Sequence, residues 1–329
     1  MKLLLAAMAI AATSLMPSAA SAAEITVYSG RGESFTAPMF KLFEEQTGIK
    51  VNARYGTTAE LSALLREEGD KSPADLFLAQ DAASLVSNEA IFAPLPAELS
   101  ANVLPGFKPA SDKWIGTSGR ARTMVYSVER VTEAEFPKSV YDLTAPEWKG
   151  KVGFAPGNAS FQAFLTAVRV VDGEEKAKQF VEGLVANEAK TYKNNTDQLQ
   201  AIADGEVDVA LVNNYYLTRF KLRDAKFPVA QTFFEKGDIG NLMFTSGAGV
   251  PAASDNQEAA HNLIGFLLSP AAQQYFSASI GEYPVTGGVI PNDTLGAVAD
   301  PAAFAPKVEI EALADTDGTK KMLTELGLI

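Results

Sequence analysis

The chain has 329 residues, 47% of them hydrophobic and 21% charged, and its mean hydropathy of +0.02 carries no membrane-protein bias; at roughly 100–200 residues per domain, this is length for about two. Lys+Arg 28 against Asp+Glu 40 gives a net charge of −12, the wrong sign for coating nucleic acid or an anionic membrane, while a cation, or a small anion held by local groups, stays open. With no cysteine and a single histidine, His261, disulfides, thiolate metal sites and a cysteine nucleophile are excluded, and any Ser-His-Asp triad or zinc site would have to be built on that one imidazole.

The first segment reads as an address. Lys2 supplies a positive end, Leu3 to Met16 is apolar, Pro17 breaks the run, and Ala20-Ser21-Ala22 has the small–x–small pattern of a signal-peptidase site. The apolar run is too short to span a bilayer comfortably. Residues 1–22 are therefore set aside as a signal peptide cleaved near Ala22. Lys2 is their only charged residue, so 27 basic and 40 acidic residues remain, a net charge of −13. No cysteine follows the cleavage point, which argues against a lipid anchor. The expected mature protein is exported, with no direct insertion into a membrane.

The body alternates strands and helices. Glu24 to Tyr28 alternates like a strand, Ser29 to Gly32 turns, and Phe35, Met39, Phe40 and Phe43 recur at helical spacing up to Thr47-Gly48. Ile49 to Arg54 is a second strand. Thr57 with Glu60 forms a capping box ahead of Leu61, Leu64 and Leu65. Ala74 to Ala79 is a third strand, and Ala82 to Ala90 a helix. This β-α-β-α-β order predicts a parallel sheet with helices on both faces. Ligands of such sheets sit beyond the C-terminal strand ends, so the loops of interest are Ser29–Glu33, Tyr55–Thr58 and Gln80–Asp81.

A second unit begins near residue 122. Thr123 to Val128 is apolar and β-branched, segments 139–143 and 146–150 follow, and Lys151 to Ala155 is a strand. After the turn 156–159, Ser160 opens a helix with Phe161, Phe164, Leu165 and Val168 on one face, ended by Gly173. Thr196 to Ile202 is a short helix. Val207 to Val212 is a buried-strand run that ends in Asn213-Asn214-Tyr215-Tyr216. A fresh strand starts near Ser246 to Val250, followed by helices over 256–268 and 273–279. No repeat and no long linker is present. Two lobes crossed more than once by the chain would make a hinged clam. The expected parts are an N-terminal lobe over 23–121, a C-terminal lobe over 122–246, a return to the first lobe over 247–299, and C-terminal helices over 300–329 packing on the second.

Asn213-Asn214-Tyr215-Tyr216 carries the most chemistry. Two phenols and two amides directly after a buried strand belong at a ligand-facing strand end. Phenols lose their protons readily only beside a strong positive charge such as a trivalent metal, and a phenolate suits Fe(III). Ordinary aromatic packing with satisfied hydroxyls is the other reading of these residues alone. The turn Gly157-Asn158-Ala159-Ser160 precedes a helix, where free N–H groups favour an anion, or where Asn158 and Ser160 simply cap. Arg120 and Arg122 lie near the expected crossover, either to hold an anion or as surface arginines. His261 sits between apolar helical positions and reads as structural or surface.

Over essentially its whole mature length the chain resembles the periplasmic ferric-ion-binding proteins, the substrate-binding components of bacterial iron ABC importers. The likeness is carried by Val27-Tyr28-Ser29-Gly30, Glu67-Glu68-Gly69 with Ser72-Pro73-Ala74-Asp75, Ser118-Gly119-Arg120-Ala121-Arg122, Pro146-Glu147-Trp148-Lys149, Val212 to Tyr216, and Glu282-Tyr283-Pro284. It implies an α/β, two-lobed periplasmic binding protein of type II, each lobe a mixed, largely parallel sheet flanked by helices, with the ligand in the interlobe cleft. It implies that Tyr215 and Tyr216 coordinate Fe(III), and that a synergistic carbonate or phosphate is held by Asn158, Ala159 and Ser160 with Asn195 and Asn213. The implied partner is an inner-membrane ABC iron permease, and the protein itself a periplasmic monomer that is not an enzyme.

The chain departs from that family at the first lobe. Gly32 and Gln80 stand where some relatives have a histidine and a glutamate, and about Phe161 stands where another branch has a third tyrosine. Gln80, Glu33, Tyr55 and Asp81 all fall on strand-end loops as substitute ligands; Tyr55 reads equally as a cleft-wall aromatic and Glu33 as a helix-start charge. Two rival readings stay open. One is the same fold binding an oxyanion or a phosphonate-like organic anion, and the other is an exported hydrolase, for which no GxSxG is present.

Overall fold

Ile25 and Val27 alternate with the exposed Glu24 and half-exposed Thr26 and are fully buried, making Glu24–Ser29 strand β1 of the computed structural model, which describes residues 23–295, 301–308 and 315–329. The expected signal peptide, with its cleavage near Ala22, lies outside these residues. Helix α1 (Glu33–Thr47) buries Met39, Phe40 and Phe43 and stops at Gly48, whose φ of 74° is left-handed. Strand β2 (Lys50–Tyr55) runs parallel to β1. Both halves of the capping box at Thr57 and Glu60 are formed at the start of α2 (Thr58–Glu68). Strand β3 (Leu76–Ala79) is buried throughout and also parallel to β1. Helix α3 (Ala82–Val86) is shorter than its apolar pattern suggests. The buried Asn88 donates to Ser84 O at 2.6 Å and Ser62 Oγ at 2.7 Å, which turns the chain away.

The strand expected at 123–128 is much longer: β4 spans Trp114–Ser127. Its first half carries little apolar signal because Gly116 and Gly119 pack under Phe107, where a Cβ on Gly119 would lie 2.8 Å from the ring. Beyond it come β5 (Val152–Phe154), α4 (Ala159–Asp172), α5 (Glu174–Ala186), β6 (Lys190–Thr191), α6 (Asn195–Ala203), β7 (Val209–Asn213), α7 (Tyr215–Lys221) and β8 (Val229–Thr232). Then follow β9 (Met243–Gly249), α8 (Gln257–Leu267), α9 (Pro270–Tyr275) and a π-turn at Phe276–Ile280. Helices α5 and α7 and strands β6 and β8 are additions to the expected elements. A last helix, α10, covers Thr316–Glu325.

The strand order is β2-β1-β3-β9-β4-β7-β5-β6, with β8 also on β4. Strand β4 pairs antiparallel with β9 through its first half, and with β7 and β8 from Arg122 onward. One long strand thus passes from one half of the structure to the other. The first half has a core of Ile25, Phe40, Phe43, Leu76, Leu263 and Ile280, among others, whose buried members come from 25–115 and 248–285. The second is built around Phe154, Phe161, Phe164 and Phe180, with members from 124–242 and 322–323. We propose the lobe boundaries on this division. Among the described residues no helix is long and apolar enough to cross a membrane.

Arg169 ties α10 to α4. Its Nη1 donates to Thr319 Oγ1 and to Asp315 O, both at 2.9 Å. Its ion pairs to Glu174 and Asp315 involve largely exposed carboxylates and are screened, so the buried hydrogen bonds carry most of the effect. Arg169→Met should lower unfolding stability by about 1–3 kcal/mol, read as a lower urea midpoint. An unchanged midpoint would show that α10 is held by its apolar contacts alone.

Candidate functional site

The loops after β1, β2 and β3 face the starts of α4 and α7 across a cleft of about 690 Å³. One wall is made by Gly30, Gly32, Phe35, Gly56 to Thr58, Gln80, Asp81 and Arg120. The other is made by Asn158, Ala159, Ser160, Ala163, Asn213, Tyr215, Tyr216 and Phe244. Apart from Arg120 within β4 and Phe244 on β9, these lie at C-terminal strand ends and helix starts, where ligands of such sheets bind.

The tyrosine pair is held by its preceding amide. Asn214 is fully buried; its N–H donates to Ala121 O at 3.0 Å, its Oδ1 accepts from Ala121 N at 2.9 Å, and its Nδ2 donates to Gly281 O at 2.7 Å. Tyr215 and Tyr216 are the first two residues of α7. Their rings stack with centroids 4.5 Å apart and planes at 27°. Arg219 lies over both, at 4.9 and 5.1 Å from the centroids. Burial, then the charge and hydroxyl of Tyr216, push the Tyr215 phenol up to about 12, against the pull of Arg120 and Arg219. Tyr215 therefore favours the phenol at neutral pH, and only a strong cation will turn it into a phenolate.

The turn before α4 is backed by a buried cation. Asn158 Oδ1 accepts from Ser160 N at 3.0 Å and from Ser160 Oγ at 2.6 Å, so the cap is formed. Behind it Arg122, 1% exposed, donates from Nη1 to Ser160 Oγ at 3.1 Å, Asn213 Oδ1 at 3.2 Å and Asn195 Oδ1 at 3.5 Å, and from Nη2 to Leu211 O at 2.7 Å. Asn195 Nδ2 donates to Ser160 Oγ at 3.1 Å. All these partners are neutral, and Arg122 Nε has none. Desolvation lowers the Arg122 pKa to about 9, with Tyr215 and Tyr216 opposing. Arg122 and Asn195 do not line the cleft; they reach it through Ser160 and Asn213. Ala159 lines it directly.

The expected residues of the other wall separate. Gln80 is exposed on the cleft surface, and its main chain is fixed: its N–H donates to Thr58 Oγ1 at 3.1 Å, and its carbonyl accepts from Ser246 Oγ at 3.2 Å and from Arg120 Nη2. Asp81 also lines the cleft, but its Oδ1 caps α3 through Ser84 N at 2.8 Å. Glu33 and Tyr55 are absent from the lining. Glu33 is an exposed first-turn residue of α1, and the half-buried Tyr55 packs its ring against the first core and shares a 3.4 Å hydrogen bond with Thr36. His261 lies on α8, away from the cleft, with its pKa lowered by burial. Among the described residues no three of His, Cys, Asp and Glu converge on a metal position.

Three charged residues of the cleft region escaped sequence reasoning. Arg219 stands four residues after Tyr215, a helical spacing that would have flagged it. Arg31 and Glu282 form a buried ion pair across 251 positions, and no local pattern announces such a pair.

Residues 38–306 match the family model of bacterial extracellular solute-binding proteins. The chain is 31% identical over 327 residues to the major ferric iron-binding protein of Neisseria meningitidis, covering 97% of this chain and 98% of that one. It is 32% identical over 310 residues to the Fe(3+)-binding periplasmic protein of Serratia marcescens, covering 93% and 90%. Among solved structures, iron-bound HitA from Pseudomonas aeruginosa is 30% identical with a TM-score of 0.75, covering 93% of this chain and all of that one. Trichodesmium IdiA (FutA), in complex with iron and citrate, is 28% identical with a TM-score of 0.77 and the same coverage.

Proposed function

We propose that this chain, which belongs to the bacterial extracellular solute-binding proteins and among them to the ferric iron-binding periplasmic group, captures Fe(III) between Tyr215 and Tyr216 and delivers it to an inner-membrane ABC permease. One observation carries the assignment of the site: two stacked phenols at the start of α7, in a cleft where no cluster of carboxylates or imidazoles converges among the described residues. Phenolate oxygen is a hard anionic donor suited to Fe(III). The role is binding, not catalysis, and the protein works as a monomer in the periplasm.

Two phenolates leave one positive charge of Fe(III) uncompensated. The neutral surroundings of Arg122 leave another. A carbonate or phosphate at Asn158, Ala159 and Ser160, with Asn195 and Asn213 behind and Arg122 or Arg120 as counter-charge, offsets both. Arg122 favours this reading because its guanidinium already bonds three of these residues. The same polar pocket would serve an organic oxyanion without metal, and colour separates the two, because tyrosinate–Fe(III) charge transfer absorbs visible light. Purified protein with ferric citrate should turn orange to purple. Tyr215→Phe or Tyr216→Phe should weaken binding and shift or remove the band; a double Phe variant with full colour and affinity refutes the ligand assignment.

Acid should release the iron. Burial and Tyr216 push the Tyr215 phenol up to about 12, so loading at neutral pH expels its proton, and protons compete with metal as pH falls. Log affinity should drop by about one per pH unit for each proton expelled. A visible band and affinity that stay constant well into the acid range would count against tyrosinate ligation.

The exogenous anion is tested by its removal. Iron affinity should fall in buffer stripped of carbonate and phosphate and return when either is added. Arg122→Ala should cost about 1.5–3 kcal/mol of anion-supported iron binding, as the loss of a buried charge-assisted hydrogen bond does, and Arg120→Ala tests the other arginine alone. Equal binding in anion-free buffer would mean that Gln80, Asp81 or another protein group completes the shell.

A further inference from the structure

Glu282 follows Gly281 at the end of the π-turn and is 2% exposed. Its Oε2 accepts from Arg31 Nη2 at 2.8 Å, and its Oε1 lies 4.0 Å from Arg120 Nε. From there the contacts reach the wall that carries Gln80. Arg31 Nη1 donates to Ser246 Oγ at 3.1 Å, Ser246 Oγ donates to Gln80 O at 3.2 Å, and Arg120 Nη2 donates to the same carbonyl. In the other direction the contacts reach the tyrosine helix. Asn214 Nδ2, one residue before Tyr215, donates to Gly281 O at 2.7 Å. Thr218 of α7 packs so closely on Gly281 that a Cβ there would lie 2.3 Å from Thr218 Oγ1.

Two arginines against one carboxylate leave the cluster with a net positive charge in a desolvated place. Such a cluster is a costly way to stabilise a fold, and apolar residues of similar volume would serve as well. What it does provide is geometry. It joins the main chain of Gln80 on one side of the cleft to the residue preceding Tyr215 on the other, through one hub.

We propose that Glu282 is a positioning residue for cargo capture, fixing the tyrosine pair relative to the Gln80 wall through Gly281 on one side and Arg31, Arg120 and Ser246 on the other. The inference rests on the ferric reading of the cleft. Glu282 touches no cargo; it acts through residues that do. Outer partners of this kind cost a metal site about 10–100-fold in affinity when removed.

The test is Glu282→Gln, which keeps shape and removes charge, read in two ways. In iron-free protein, amide hydrogen exchange should quicken together over 80–84 and 214–219 while α5 stays as in wild type. In iron-loaded protein, affinity measured by competition with citrate should fall about 10–100-fold, and the tyrosinate band should shift, which a loss of fold stability alone would not produce. Faster exchange on one side only, or affinity within twofold of wild type with an unmoved band, overturns the proposal. Should Glu282→Gln not fold, Ser246→Ala removes a single hydroxyl from the same path. It should quicken exchange over 80–84 and lower affinity about fivefold, as one lost hydrogen bond does, and no change in either overturns the proposal as well. The exchange measurement needs no iron. A wild-type protein that binds no iron would therefore defeat the ferric reading, while the exchange result still decides whether Glu282 couples the two walls.

Discussion

A buried guanidinium with no carboxylate beside it sets the terms of the cleft. Arg122 is surrounded by the oxygens of Ser160, Asn195, Asn213 and Leu211, all neutral, and desolvation pulls its pKa to about 9 against the opposing Tyr215 and Tyr216. The nearest groups able to become negative are Tyr215 and Tyr216, yet the same desolvation keeps Tyr215 protonated. The cleft thus brings together a cation without a carboxylate partner and a phenol that cannot supply a counter-charge unaided. In the proposed function a trivalent cation would resolve both at once, because it would drive the phenol to phenolate and draw in an anion whose charge Arg122 would meet. The chain as a whole is acidic at −12, so cations gather around it, while Arg120, Arg122 and Arg219 stand at and behind the cleft wall. A metal–anion pair suits that combination better than either ion alone.

The fold delivers these groups to one place through strand parity and strand ends. Arg120 and Arg122 are two residues apart on β4, hence on one face of the strand, but the strand changes partners between them. Arg120 pairs in register with Phe244 of β9, and Arg122 with Asn213 of β7. One guanidinium therefore reaches the loop after β3 and the other the turn before α4. Two like charges that would repel on a short strand are sent to opposite walls. The same crossing makes β4 and β9 the natural axis for hinge closure in the proposed capture cycle.

The residues that could be read in sequence were those whose partners are local. The box at Thr57 and Glu60, the buried run of β7, the cap at Asn158 and the adjacent Tyr215 and Tyr216 each declare themselves within four positions. The first half of β4 did not, because its fitness to be buried comes from glycines accommodating Phe107, not from apolar side chains. Helix α5 carries a readable stripe in Ala177, Phe180, Val181 and Leu184 after its acidic first turn. The substitute ligands were the weakest part. Strand-end position put Gln80, Asp81, Glu33 and Tyr55 on equal terms, whereas side-chain direction turned Tyr55 into the core and left Glu33 outside the lining. The Arg31–Glu282 pair has no sequence signal, since its members meet only after the chain returns to the first lobe.

That return also explains why the first wall need not ligate metal to matter. Gln80 has its N–H held by Thr58 and its carbonyl by Arg120 and Ser246, while Gly30 sits so close to Thr58 that any Cβ would clash at 2.2 Å. The main chain at Gln80 is thus held at both its donor and its acceptor. A carboxamide is a poor donor to Fe(III), but its NH2 donates hydrogen bonds that a carboxylate cannot. Held in place, Gln80 is suited to recognise an oxygen already bound to the iron. In the proposed function the first lobe would then select the anion-bearing form of the metal, and the tyrosine helix would supply the ionic bonds. A wall built for recognition needs fixed geometry more than charge, and the hydrogen bonds with Thr58, Arg120 and Ser246 all fall on the main chain of Gln80.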